Sequence, residues 1–177
     1  MVNLDDLEVG FRSLIDRILG ELNSSSAWKL KPVTTIRDPW TQAKLWRQSR
    51  TGDQVQREIQ QLIASNAEYL ASVLQRVGPQ KTGPWATNAL PGMSWHNWSP
   101  SLAIDVVVIE AGKVVGDGHH PGYRAWINAG ASFGLTSRAN IHDYGHMQAN
   151  AFEPPDRYDL REISLLMKGC WGNIPPK

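Results

Sequence analysis

His96 stands in a loop marked by tryptophan and proline, SWHNWSP, directly ahead of an apolar strand pattern, AIDVVV, that carries Asp105. Period-two alternation puts Ala103, Asp105 and Val107 on one face and Ile104, Val106 and Val108 on the other. Asp105 is therefore expected to face a largely buried layer. An ionised carboxylate buried without a partner costs about several kcal/mol, so Asp105 needs a cation, an arginine or hydrogen-bond donors beside it. A divalent metal would satisfy it and engage His96 at the same time; Arg124 or Arg138 is the competing partner. Further along, Asp143-Tyr144-Gly145-His146 sets a carboxylate and an imidazole three positions apart and would form the second half of such a site.

The rest of the chain limits what that chemistry can be. At 177 residues with 41% hydrophobic content and eight tryptophans, the sequence can bury one good core and predicts a single domain spanning 1–177. Eighteen basic and seventeen acidic residues leave a net charge of +1 with no dense Lys/Arg run, which argues against a nucleic-acid partner. Cys170 is the sole cysteine, so a metal site must use histidine and carboxylate ligands. It is expected to be a packed thiol rather than a nucleophile, since nothing links it to a base. No apolar run reaches the ~18 residues of a membrane span, and the N-terminus lacks the pattern of a secretory signal. The expectation is a protein made in the cytoplasm.

The elements that must position these residues can be read in order. Asn3 is the expected N-cap of a first helix whose apolar stripe is Leu4, Leu7, Phe11, Leu14, Ile15, Ile18 and Leu22, ending in the polar run Asn23 to Ser26. Val33 to Ile36 reads as a short strand, and Asp38-Pro39 starts a helix that reaches about Ser49. Asp53 to Val77 carries a helical stripe broken near Ser65 and Asn66, one helix or two. Gly78 to Gly92 reads as an irregular loop, Ala103 to Val115 as a hairpin turning at Ala111-Gly112, and Tyr123 to Phe133 as a helix stopped by Gly134. Asp143 to Gln148 is a strand candidate, and Tyr158 to Lys168 a closing helix.

Three blocks carry a resemblance: TIRDPWTQAKLWRQSRT, then TNALPGMSWHNWSPSLAID, then FGL followed by DYGHMQ. From about Thr34 to Gln148 the chain resembles the zinc peptidases of bacterial cell-wall peptides. These include D-alanyl-D-alanine carboxypeptidases and the L-alanyl-D-glutamate endopeptidases of phage endolysins, relatives of the hedgehog-like metal fold. The resemblance implies an α+β fold with a small antiparallel sheet packed with helices. It implies one Zn²⁺ held by His96, Asp105 and His146, with Asp143 as general base. Arg37 matches an arginine that holds a substrate carboxylate or stabilises the transition state, ahead of a helix with Gln42 and Leu45. Gln42, Ser94, Trp95 and His142 are the further substrate-side candidates, and Trp98 flanks the histidine with Trp95.

The sequence departs from that pattern in places. Nine positions separate His96 from Asp105, two more than is usual in the family, and an even insertion keeps the side-chain face. Gly145 and Met147 stand where proline and phenylalanine are common. Asp53 to Val77 is longer than the usual connection and reads as a helical insertion.

Two histidines and an aspartate are an acceptable ligand set for a hydrolytic zinc site, which needs three protein ligands and an open position. A nearby carboxylate takes the proton from water and passes it to the leaving amine, a task open to Asp143. On an extended strand Asp143 and His146 would face opposite ways, so a bend at Gly145 is expected. His119 and His120 are expected to face solvent. The expected activity is hydrolysis of peptidoglycan stem peptides, first at the L-alanyl-D-glutamate bond. D-alanyl-D-alanine carboxypeptidase activity and a non-catalytic metal-containing module that binds cell-wall peptide or a partner are the alternatives. Such a substrate lies outside the cytoplasm, so holin-type release or a secretion machine is expected, with an immunity or secretion partner open.

Overall fold

The computed structural model describes residues 2–48, 50–77, 83 and 86–173. In chain order the helices are α1 (Val9–Ser25), α2 (Pro39–Arg47), α3 (Gly52–Ala64), α4 (Glu68–Arg76), α5 (Pro121–Ser132) and α6 (Leu160–Trp171). The strands are β1 (Lys29–Thr34), β2 (Ala103–Glu110), β3 (Lys113–Val114), β4 (Thr136–Arg138) and β5 (Asp143–Gln148). Mixed helix and antiparallel sheet is the class the sequence leads one to expect. The chain divides into two compact units, Met1–Ile36 with Ser99–Ala151, and Arg37–Trp98 with Phe152–Lys177. Among the described residues no helix is long and apolar enough to cross a membrane.

The first unit holds the whole sheet, in the order β1-β2-β5-β4 with β3 paired to the end of β2, every pairing antiparallel. Ile104, Val106 and Val108 of β2 and Met147 of β5 enter a core with Phe11, Ile15 and Ile18 of α1 and Tyr123 and Trp126 of α5. Burial of each such side chain stabilises by about 1.5–3 kcal/mol. The pairs Ile104 with Met147, Asp105 with His146 and Ala103 with Gln148 then fix the other side chains. Ala103, Asp105, His146 and Gln148 share the face opposite that core.

Three expectations for this unit shift. Asn3 does cap, but its side chain accepts from the Asp5 amide and closes a short 3-10 turn, Leu4–Asp6. Leu7 is then drawn out into a β-bridge with Ser101, so α1 begins only at Val9 with Glu8 as its cap. The first strand lies earlier than Val33 to Ile36, because the buried anchor that pairs across β2 is Leu30, opposite Val108, whereas Val33 is exposed. Pro32 is tolerated there because β1 is an edge strand. Asp105 is half-buried, with 21% of its side chain exposed, since the fully buried face of β2 is the Ile104, Val106, Val108 one.

The hairpin turns where expected, with Ala111 at φ 49° and Gly112 at φ 76°, the left-handed pair of a tight two-residue turn. His120 does not face solvent: its Nδ1 accepts from the Gly122 amide and caps α5, and its ring meets Trp28 edge-on. His119 is exposed.

The second unit is helical. Asp38 caps α2 through the Thr41 amide, with Pro39 in the first turn. The helix end expected near Ser49 and much of the Gly78 to Gly92 loop lie outside the described residues. The stripe from Asp53 to Val77 is two helices, α3 opened by a Thr51/Gln54 capping box and α4 after a break where Asn66 takes φ 55°. Ile59, Leu62, Leu70, Val73 and Leu74 are fully buried there, with Ile163 and Met167 of α6. α6 starts later than Tyr158, at an Asp159/Glu162 capping box. Cys170, expected to be packed, is exposed.

Candidate functional site

Antiparallel register sets Asp105 of β2 opposite His146 of β5, with Asp105 Oδ1 3.0 Å from His146 Nδ1. His146 is 7% exposed. Its other ring nitrogen, Nε2, lies 2.9 Å from Gln148 Oε1, and Gln148 Nε2 donates to the Asn150 carbonyl at 2.7 Å. Burial of the ring works against its charge. The hydrogen bond and charge of Asp105, the Gln148 contact and the charge of Asp143 outweigh it and hold the His146 pKa above its ordinary value.

The contacts of that ring limit its chemistry. A backbone carbonyl only accepts, so the Gln148 amide must turn its NH₂ to Asn150 and its oxygen to His146. The ring's Nε2 therefore carries a proton. In the neutral ring Nδ1 would then aim a lone pair at the Asp105 carboxylate, which is repulsive, so a proton or a metal cation belongs between Nδ1 and Oδ1. Two ligands of a tetrahedral zinc, each about 2.0–2.1 Å from the metal, lie about 3.3 Å apart. The pair at 3.0 Å needs to open by only a few tenths of an ångström to fit.

Asp143 begins β5 with its side chain exposed, and β5 is irregular between it and His146. Arg138 pairs with Asp143 and the neighbouring Ser137 pairs with Met147, so residues 144–146 bulge out of the ladder to β4. This is the bend anticipated at Gly145. A side chain there would meet the Val106 carbonyl oxygen at 2.3 Å, so glycine is required by close approach. His142 takes φ 63° and joins the Tyr144 hydroxyl through Nδ1 at 3.0 Å, exposed and separate from the Asp105–His146 contact.

In the second unit, the histidine loop is a 3-10 turn, Trp95–Asn97, whose N-cap is Ser94, the side chain accepting from the His96 amide. His96 is 2% exposed. Its carbonyl accepts from the Arg37 amide at 2.7 Å, and Asn97 Nδ2 donates to the Arg37 carbonyl at 2.8 Å. The Asn97 side chain also accepts from the Gly92 amide, and its carbonyl accepts from the Trp171 indole. Trp95 is buried, donates to the Phe152 carbonyl, and packs on Trp98 and Phe152, while Trp98 stacks on Tyr158. Arg37 donates to Gln42 Oε1 at 3.0 Å, and the fully buried Gln42 anchors itself to the Ala89 carbonyl. Gln42 thus orients Arg37.

The structure brings together Asp105 with His146, Arg37 with Gln42, and Ser94 with the His96 amide. Sequence reading passed over Gln148 and Asn97. Gln148 lies two residues beyond His146 and so on the same strand face, a signal available once β5 is accepted as a strand. Asn97 gave no such signal, because its side chain meets only backbone groups, the nearby Gly92 amide and the distant Arg37 carbonyl, which leave no residue pattern. Comparison with known proteins supplies no family: no family model matches the chain, and no curated protein matches it.

Proposed function

We propose that the chain is a zinc-dependent peptidase of peptidoglycan stem peptides, acting first on the L-alanyl-D-glutamate bond. The observation that carries the reading is the Asp105–His146 pair, whose facing atoms call for a proton or a metal cation between them. The donor chemistry also supports it, since His96, Asp105 and His146 each offer one ligand atom of a kind that zinc takes. Zinc, when bound, supplies Lewis acidity to a scissile carbonyl and lowers the pKa of water. Asp143, exposed at the start of β5 and close enough for its charge to act on His146, takes the proton from water and delivers it to the leaving amine. Arg37, held by Gln42, binds a carboxylate of the stem peptide.

The test is mass spectrometry of purified muropeptides incubated with zinc-loaded protein, with chelator-treated protein and with Asp143→Asn. Fragments that identify the L-alanyl-D-glutamate bond are expected from the zinc-loaded protein alone. Asp143→Asn should keep the metal and lose about 10²–10⁴-fold in turnover. Absence of cleavage by a folded, zinc-loaded protein would refute the peptidase, and release of terminal D-alanine would reassign it as a carboxypeptidase.

A further inference from the structure

Gln148 is 1% exposed and lies beside His146 on the sheet face opposite the apolar core of its unit. Its amide is used at both ends: Nε2 donates to the Asn150 carbonyl at 2.7 Å, and Oε1 stands 2.9 Å from His146 Nε2. The first contact fixes the second. Turning the amide round would aim its oxygen at a carbonyl oxygen and leave the NH₂ against the ring, losing a hydrogen bond inside a buried site, where an unmade bond is costly. The ring nitrogen that faces Gln148 must donate, and the ring nitrogen that faces Asp105 is the one left to accept a cation.

We propose that Gln148 is a positioning residue that locks His146 in its Nε2–H tautomer, so that Nδ1 is the atom offered to the metal beside Asp105. The inference rests on the reading of His146 as a zinc ligand. It adds the ligating atom and the residue that selects it. A ligand histidine is held by whatever accepts from its second nitrogen, and loss of that partner weakens metal binding about 10–100-fold. A purely structural role for Gln148 has a different signature. The buried amide would then matter equally to the zinc-free and zinc-loaded protein, and its removal would lower stability with no change in which nitrogen binds.

Long-range ¹H–¹⁵N correlation spectra of the His146 ring in the zinc-loaded wild-type protein, with the shift of each ring nitrogen read separately, identify the coordinated atom directly and need no variant to fold. The expected result is a protonated Nε2 and a coordinated Nδ1. Gln148→Met keeps the volume and removes the acceptor, and a zinc titration against a competing chelator should show affinity lowered about 10–100-fold. Gln148→Glu keeps an oxygen toward the ring and should recover part of that loss. Coordination through Nε2, or Gln148→Met binding zinc as tightly as the parent, would overturn the inference and leave the metal reading standing. Failure of the folded wild-type protein to bind zinc would instead overturn the metal reading and this inference with it.

Discussion

Replacing Gly145 with alanine tests whether the bulge in β5 holds the site. The added Cβ would lie 2.3 Å from the Val106 carbonyl oxygen, whereas ordinary contact begins near 3.4 Å. Backbone faces backbone here, so no rotamer change relieves the clash, and β2 and β5 must part by about 1 Å. Overpacking of this kind costs about 1–3 kcal/mol. The same peptide is tied to the core by the Trp126 indole, which donates to the Gly145 carbonyl at 3.2 Å. Loss of that bond adds about 1 kcal/mol. Together they amount to about 2–4 kcal/mol, or about 5–15 °C in the thermal midpoint for a chain of this length. Gly20→Ala is the control. Gly20 lies inside α1, and a methyl group there would have no neighbouring atom within 4 Å, so alanine should raise stability by about 0.5–1 kcal/mol through helix propensity. Thermal unfolding followed by circular dichroism reads both. A Gly145→Ala midpoint within about 2 °C of the parent, or a Gly20→Ala loss as large as that of Gly145→Ala, would show that the close approach does not constrain the strand.

The remaining predictions concern protons. The Glu8 carboxylate accepts from the Phe11 and Gly10 amides at the start of α1, and these bonds hold its pKa below the ordinary value. A lowered folded-state pKa means stabilisation that is present above the unfolded value of about 4.3 and lost as pH falls through the folded one. Glu8→Gln should therefore be less stable than the parent near neutrality by about 0.5 kcal/mol, the low end for a cap because the part-buried group still borders solvent. Urea titrations should show the two proteins converging in acid; a difference undiminished there would sink the assignment. At His146 the raised pKa means that zinc must displace a proton from the ring. Apparent zinc affinity should rise about tenfold per pH unit below that pKa and flatten above it. A chelator competition series that is flat with pH would exclude His146 as a ligand.

What could be read from the sequence follows from how local each signal is. Asp38-Pro39, the Ala111-Gly112 turn and Gly134 act within a few residues, and the chain obeys them. Asn3 is equally local and equally active, yet α1 starts at Val9 because Leu7 pairs with Ser101, a contact between residues far apart in the chain. The run Val33 to Ile36 has the composition of a strand, but the position of β1 is set by Leu30 reaching the core opposite Val108. The residues of the candidate site were visible as types and spacings. Their environments were not: the partial exposure of Asp105 depends on which face of β2 the helices cover, and the cap made by His120 depends on Trp28 and Gly122 closing round it.

Register is the step that turns those spacings into a site. A slip of one residue between β2 and β5 would set Asp105 opposite Met147 and turn His146 and Gln148 toward the apolar core. The core forbids it. Met147 is fully buried, and α5 makes room for it at Gly130, where a Cβ would come within 2.3 Å of the Met147 methyl. An imidazole and an amide in that space would lose their hydrogen bonds as well as the packing, at several kcal/mol by the cost of about 1–3 kcal/mol for each buried polar group left unpaired. The apolar packing around Met147 therefore decides that Asp105 meets His146 and that Gln148 stands behind it. Substituting the site residues would test the chemistry, but enlarging Gly130 should displace Met147 and weaken metal binding from the far side of the sheet, an effect expected only if the core sets the register.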